Sequence, residues 1–113
     1  MEIGERLEGK VGVLLPMGRI DNSTSPAFQA KLIAGLEAGR ATLVDFAGVE
    51  FISSAGLAAL MAAAKLAKAR NGRIVVAGLR PLVQEIFAIS RFSRVVQTYE
   101  TVAEGIAALQ SGP

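Results

Sequence analysis

Asp45-Phe-Ala-Gly-Val-Glu-Phe-Ile-Ser-Ser-Ala-Gly-Leu57 is the segment that decides the fold, because an apolar strand pattern runs into two serines and then into an alanine-rich helix pattern. Ser53 and Ser54 therefore stand where that helix should begin. A helix start presents unpaired backbone N–H groups and the positive end of the helix dipole. A hydroxyl in this position can cap the helix, act as a nucleophile or accept a phosphate.

Composition limits the classes of protein to which the segment can belong. The 113 residues are 51% hydrophobic and 19% charged, which is typical of a globular protein, and we expect a single domain over residues 1–113. The net charge of +2 comes from 12 basic and 10 acidic side chains that are interspersed, so we expect no direct binding of nucleic acid. Cysteine and histidine are absent, which excludes disulfides and thiolate metal sites and removes the commonest general base.

Neither the longest apolar run nor the N-terminus indicates a membrane protein. The longest apolar run, residues 55–64, is ten residues long and is too short to span a bilayer. The charged N-terminus lacks the apolar core of a signal peptide. We therefore expect a cytoplasmic protein with no membrane insertion.

Working outward from the serines, the pattern predicts the order β-β-α-β-α-β-α-β-α. Such alternation indicates an α/β fold with a mixed, mainly parallel sheet of four to five strands and about four helices. Because function gathers at the carboxyl ends of parallel strands, we expect the loops 18–25 and 49–56 to meet there. The predicted strands cover residues 3–7, 10–17, 42–46, 73–77 and 94–98.

Each predicted helix has start and stop signals and one apolar face. Ser25 is the predicted N-cap before Pro26, Gly39 a stop, and Thr101 with Glu104 a capping box. The predicted inward faces consist of Phe28, Leu32, Ile33 and Leu36; Leu57, Leu60, Met61 and Ala64; Val83, Ile86 and Phe87; and Val102, Ile106 and Leu109.

Three enzyme-like or ligand-binding interpretations of the serine segment find little support. A nucleophilic serine lacks both the leading glycine of a nucleophile elbow and a histidine base. A nucleotide site lacks a phosphate-binding loop. The carboxylates Asp21, Asp45 and Glu50 are more typical of loop charges and turn caps than of a metal site, and Asp45 is expected to bond to nearby backbone. We expect no catalytic residue, no metal and no cofactor.

Two roles remain open for Ser54 from spacing alone. As a helix cap it would stabilise the helix by about 1 kcal/mol, and this interpretation is favoured. As a phosphoacceptor it would gain roughly 1.5 to 2 negative charges. The helix dipole favours an anion at this end, so the phosphate would act on a docking partner rather than on the fold.

Four stretches resemble the anti-sigma-factor antagonist family, also called STAS domains. They are Gly18-Arg-Ile-Asp21, Phe51-Ile-Ser-Ser-Ala-Gly-Leu57, residues 72–79 and residues 81–90, in the family's order. The resemblance implies helices packed mostly on one face of the sheet and a non-enzymatic switch. The unphosphorylated protein would bind a serine-kinase anti-sigma factor and release the sigma factor, phosphorylation would end that binding, and a phosphatase would restore it.

The resemblance also implies roles for single residues. Ser54 would be the phosphoacceptor, Gly56 would keep the helix start open to close approach, and Asp21 would contact or orient groups beside Ser54. Lys65 and Lys68 would belong either to the docking face or to an ordinary solvated face. The implied partner-binding residues are Asp21, Asn22, Ser53, Ala55, Gly56 and Leu57.

Two residues depart from the family pattern. Ser53 replaces the usual aspartate before the acceptor, and Arg91 stands where many members have a glycine after the third helix. A left-handed backbone at Arg91 would cost about 1 kcal/mol relative to glycine. The alternative function is a stand-alone structural or regulatory subunit of a transporter or signalling scaffold, in which Ser54 is only a cap.

Overall fold

A mixed five-stranded sheet forms the centre of the computed structural model, which describes residues 1–111. Its order is β1-β2-β4-β6-β7, with β1 antiparallel to β2 and every other neighbouring pair parallel. A separate two-stranded parallel sheet joins β3 to β5. The strands are β1 Ile3–Glu8, β2 Val11–Pro16, β3 Gly18–Ile20, β4 Ala41–Asp45, β5 Val49–Ile52, β6 Ile74–Ala77 and β7 Gln97–Tyr99.

Helices cover both faces of the large sheet unequally. Within residues 1–111 they are α1 Ser25–Glu37, α2 Ser54–Ala69, α3 Pro81–Ile89 and α4 Val102–Ser111, with a short 3₁₀ helix at Phe92–Arg94. The larger core cluster combines Leu14, Val44 and Val76 with apolar residues of α1, α2 and α3. Alternate strand residues face the other way and pack on α4 through Leu109. The α/β prediction with helices mostly on one face is confirmed.

Four phenylalanines form a row of edge-to-face contacts through the larger core. Ring centroids are 6.4 Å apart between Phe28 and Phe46, 5.8 Å between Phe46 and Phe87, and 5.3 Å between Phe87 and Phe92. Such tilted pairs stabilise a core beyond the area that they bury. The row connects α1, the end of β4, α3 and the 3₁₀ helix.

The predicted inward faces agree with the structure at their centres. Phe28, Leu32 and Leu36 of α1 are buried, and so are Val83, Phe87 and Leu109 of α3 and α4. In α2, Leu60 is fully buried, whereas Leu57, Met61 and Ala64 are only partly so. The deepest face of α2 consists instead of Gly56, Ala59, Leu60, Ala63 and Ala67. The glycine and the three alanines of this face let α2 lie close to its neighbours.

The predicted start of α1 is wrong by one residue. Thr24, not Ser25, occupies the N-cap position, and its side chain makes no capping hydrogen bond. The Thr24 hydroxyl is held by the preceding loop, because it accepts from Asp21 N at 2.8 Å and donates to Arg19 O at 2.8 Å. Ser25 is the first helical residue and is buried.

The predicted strand at residues 94–98 is also partly wrong. A 3₁₀ helix covers Phe92–Arg94, and the strand runs from Gln97 to Tyr99. The physical reason is that Arg91 adopts the left-handed conformation (φ 58°, ψ 25°), which turns the chain and places Phe92 in the core at 5% exposure. The left-handed backbone considered for Arg91 is therefore observed.

Other local predictions are confirmed by hydrogen bonds and dihedral angles. Gly39 has a φ of +78° directly after α1, as a helix stop requires. Thr101 Oγ1 accepts from Glu104 N at 3.1 Å, and Glu104 Oε1 accepts from Thr101 N at 3.1 Å, which is a capping box. Asp45 Oδ1 accepts from Ala47 N at 3.0 Å, so this carboxylate bonds to local backbone. Over residues 1–111, no helix is long and apolar enough to cross a membrane.

Candidate functional site

The small β3–β5 sheet brings the two predicted loops together. Its parallel register pairs Arg19 with Phe51 and Ile20 with Ile52, so Asp21 and Ser53 follow adjacent strand ends. Ser53 N donates to Ile20 O at 2.8 Å and extends the pairing beyond the strands. A shallow, open depression results, lined by Asp21, Asn22, Ser23 and Ser53. Neither strand is among those predicted from the sequence, because both are very short.

Ser53 is the N-cap of α2, which corrects the capping role given to Ser54. The backbone of Ser53 is extended (φ −89°, ψ 175°), and its Oγ accepts from Gly56 N at 3.2 Å. The capping position requires this non-helical backbone, and Ser54 already has a helical one. The Ser53 side chain is thus half-buried, and its hydroxyl oxygen is engaged by the Gly56 N–H group.

Ser54 is the first residue of α2 and is exposed to solvent. Within residues 1–111 its hydroxyl makes no side-chain hydrogen bond. The first turn of the helix has no acidic side chain, so no carboxylate of the helix itself offsets the positive end of the dipole. The arrangement presents an accessible hydroxyl on a rigid helix start that favours an added negative charge.

Gly56 fixes the position of this helix start against both short strands. A Cβ at residue 56 would lie 2.6 Å from Cγ1 of Ile52 and 2.8 Å from Cγ2 of Ile20. Both isoleucines are fully buried and have no room to move away. The close approach that requires glycine here is therefore made by the protein's own core.

The Asp21 carboxylate organises the loop on the other side of the depression. Its Oδ1 accepts from Ser23 Oγ at 2.7 Å and from Ser23 N at 3.0 Å, and more weakly from Thr24 N and Oγ1, both at 3.3 Å. The hydrogen bond from the Ser23 hydroxyl is the main reason that the pKa of Asp21 lies below its ordinary value. Asp21 is therefore ionised at neutral pH.

The remaining predicted partner-binding residues lie around these two centres. Asn22 is exposed in the loop, and Ala55 and Leu57 are half-buried in the first turn of α2. Lys65 and Lys68 are exposed further along the helix. Asp21 lines the same depression as Ser53, and its contact with groups around Ser54 stays a prediction.

The sequence patterns did not reveal a contact beside the site between the exposed Arg19 and the half-buried Phe51. The Arg19 guanidinium carbon lies 4.4 Å from the centre of the Phe51 ring, across the β3–β5 register. Met17, just before β3, is 52% exposed. Only the pairing of the two short strands reveals this surface. Arg19 lies in the first of the four resembling stretches and Phe51 in the second.

No acidic cluster suited to a metal ion occurs at the site. Among residues 1–111, no group of three Asp or Glu side chains is close enough to hold one. Asp21 and Asp45 each accept hydrogen bonds from nearby backbone N–H groups.

Comparison with known proteins gives a consistent set of similarities. A family model described as "Mlab, STAS domain" matches residues 3–97. "Putative anti-sigma factor antagonist BtrV" of Bordetella bronchiseptica is 30% identical over 89 residues, which cover 78% of this chain and 76% of that protein.

Solved structures show the same fold. An anti-sigma factor antagonist from Mycobacterium paratuberculosis superposes with a TM-score of 0.88 at 22% identity, covering 97% of this chain and 94% of that one. The unphosphorylated form of the anti-sigma factor antagonist SpoIIAA gives 0.75 at 16% identity, with 98% and 100% covered. The phosphorylated form of SpoIIAA, from Bacillus, gives 0.71 at 17% identity, with 95% and 98% covered.

Proposed function

This chain belongs to the STAS-domain family of anti-sigma factor antagonists, and we propose that its unphosphorylated form binds a serine-kinase anti-sigma factor and so frees a sigma factor. The family consists of non-enzymatic regulatory proteins. Phosphorylation of Ser54 would end the binding, and a phosphatase would restore it. The whole cycle would take place in the cytoplasm. The exposed Ser54 hydroxyl on the first turn of α2 is the observation that carries this proposal.

The two serines differ in how available they are to a kinase. The Ser53 hydroxyl is half-buried and holds the Gly56 N–H, so its phosphorylation would remove a helix cap. The Ser54 hydroxyl is exposed and can be modified without loss of a hydrogen bond that the helix uses. This difference supports Ser54 as the acceptor.

The replacement of the family's usual aspartate by Ser53 has a simple physical reading. Aspartate and serine are both strong N-cap residues, so the helix start keeps its cap with either one. What changes is the charge next to the acceptor, which is one unit less negative here. The replacement would therefore affect recognition by the kinase and leave the fold in place.

A phosphate on Ser54 would act through the surface that the partner meets. The helix start tolerates the added charge, since the dipole and the free N–H groups favour anions. Asp21, ionised on the neighbouring loop, already makes this surface negative. The phosphate would add roughly 1.5 to 2 negative charges, which would repel or exclude a partner that fits the unmodified hydroxyl.

Mass spectrometry after incubation with ATP and extract of the source cell tests the acceptor. We expect a single added phosphate on the wild type and on Ser53→Ala, and none on Ser54→Ala. A phosphate that persists on Ser54→Ala would contradict the assignment.

Affinity purification with identification of the bound proteins tests the partner. Wild type and Ser54→Ala should retain a serine-kinase anti-sigma factor, and Ser54→Asp should lose it. Equal retention by all three variants would argue against a phosphate switch. Recovery of membrane transport proteins in place of the kinase would favour the alternative, a regulatory subunit.

A further inference from the structure

A cavity of ≈ 300 Å³ lies between helix α1 and strands β1, β2 and β4. Gly12 and Thr42 line it near the amino ends of their strands, and Gly35 lines it from the helix. Asp21 and Ser53, in contrast, follow the carboxyl ends of β3 and β5. No residue lines both the cavity and the depression beside Ser53, so the cavity is separate from the proposed switch.

Two glycines keep the cavity open. Neither Gly12 nor Gly35 has a positive φ, so the backbone does not require glycine at either position. A Cβ at Gly35 would lie 3.4 Å from Thr42 Oγ1, which is an ordinary contact, and one at Gly12 would lie 3.3 Å from the flexible Arg40 side chain. Glycine inside a helix or strand costs about 0.5–1 kcal/mol relative to alanine. The absence of side chains at Gly12 and Gly35 thus leaves space at the cavity wall at a small cost in stability.

A buried hydroxyl is available in the cavity wall. The Thr42 side chain is 1% exposed and lies among the residues that line the cavity. Over residues 1–111 its hydroxyl makes one hydrogen bond, a long one of 3.3 Å in which it donates to Arg40 O. The hydroxyl proton can therefore turn from this long bond and donate to an acceptor oxygen of a ligand.

The charge around the cavity is mainly positive. Three cations line it, Arg6, Lys31 and Arg40, against the single carboxylate of Glu5. Lys31 pairs with Glu5 at 3.3 Å, and Arg6 pairs with Glu8 at 3.0 Å. Among residues 1–111, no carboxylate lies within ion-pair distance of Arg40. Its guanidinium is the uncommitted cation, and its side chain lies over Gly12.

Apolar side chains form the rest of the lining. Leu14 is buried in the cavity wall, whereas Leu7 of the edge strand β1 is 58% exposed. A bound apolar group would cover Leu7 and remove its surface from water. The volume is at the lower end of that of small-molecule sites.

We propose that this cavity binds a small organic acid. The carboxylate is held by the Arg40 guanidinium in a charge-assisted hydrogen bond, and the Thr42 hydroxyl is available to the same head group. A short apolar body lies over Gly12 between Leu7 and Leu14. This inference does not depend on the phosphate switch.

NMR titration of the ¹⁵N-labelled protein with sodium octanoate tests the proposal. We expect saturable shifts of the amide signals of Gly12, Gly35 and Thr42. Octylamine, which has the same chain and the opposite charge, should leave these signals unchanged, and so should inorganic phosphate. Shifts that do not saturate, or that octylamine or phosphate reproduces, would overturn the proposal.

Matched variants separate the carboxylate contact from the cavity itself. Arg40→Gln, at an exposed position, should weaken octanoate binding by about tenfold or more, whereas Arg70→Gln, at the exposed end of α2, should not. Gly35→Leu should abolish binding by filling the space. If Gly35→Leu fails to fold, Arg40→Gln still decides, because unchanged affinity in that variant would refute the proposed contact.

Discussion

The starts of α1 and α2 use hydroxyl side chains in opposite ways. At α2, Ser53 caps its own helix and leaves Ser54 exposed on the first turn. At α1, the N-cap Thr24 turns its hydroxyl back to Arg19 and to Asp21 N, and makes no capping bond. The start of α2 is held by its own cap and presents the exposed Ser54 hydroxyl to solvent. At the start of α1, the hydroxyl of Thr24 instead fixes the conformation of the preceding loop. A hydroxyl near a helix start is therefore not by itself a cap.

Gly56→Ala should lower the stability of the protein most, since it disturbs the packing of the start of α2 directly. The new methyl would overlap Ile20 and Ile52, and we expect the free energy of unfolding to fall by about 1–3 kcal/mol. Gly35→Ala in α1 is the matched control, because its methyl makes only an ordinary contact and should stabilise by about 0.5–1 kcal/mol. Urea unfolding measures both, and equal effects would show that the steric argument is wrong.

Replacement of the serines at the two helix starts by alanine should change the free energy of unfolding by an intermediate amount. It tests directly whether the α2 cap and the α1 start differ. Ser53→Ala should destabilise by about 1 kcal/mol through loss of the cap. Ser54→Ala and Ser25→Ala should each change stability by no more than about 0.5 kcal/mol, because neither hydroxyl caps a helix. Chemical denaturation of the three variants gives the order, and a larger loss for Ser54→Ala than for Ser53→Ala would reverse our assignment.

The pH dependence of the Asp21 loop should be the smallest effect, because that carboxylate is screened by solvent. Its folded pKa lies below its unfolded value of 3.8, chiefly through the hydrogen bond from Ser23 Oγ. The stabilisation is thus fully present above pH 3.8 and is lost as the pH falls through the lower folded pKa. The stability difference between wild type and Asp21→Asn should shrink over this acidic range. A difference that stays constant to the acid limit would exclude an ionised role.

Much of the architecture could be predicted from periodicity. The 16-residue helix α2 is apolar over enough turns to define its type, although small residues rather than the predicted Leu57, Met61 and Ala64 form its deepest face. The four residues of β6 are all apolar, as a strand buried on both faces requires. The other errors lie at ends and in short pieces. Which serine caps α2 depends on one residue's backbone angles, which composition does not show. The strands β3 and β5 have only 3 and 4 residues, too few to show a period, yet they bring the site loops together.

The row of four phenylalanine rings has a mechanical consequence for the site above it. Phe46 follows β4 and lies between Phe28 of α1 and Phe87 of α3. A displacement of either helix is passed from ring to ring, since tilted aromatic contacts in a dense core leave little slack. The Asp21 loop leads into α1, and Phe46 leads into β5 and the start of α2, so both parts of the site are attached to this packed row. A partner would meet a surface of constant shape, on which phosphorylation of the Ser54 hydroxyl is the one change needed.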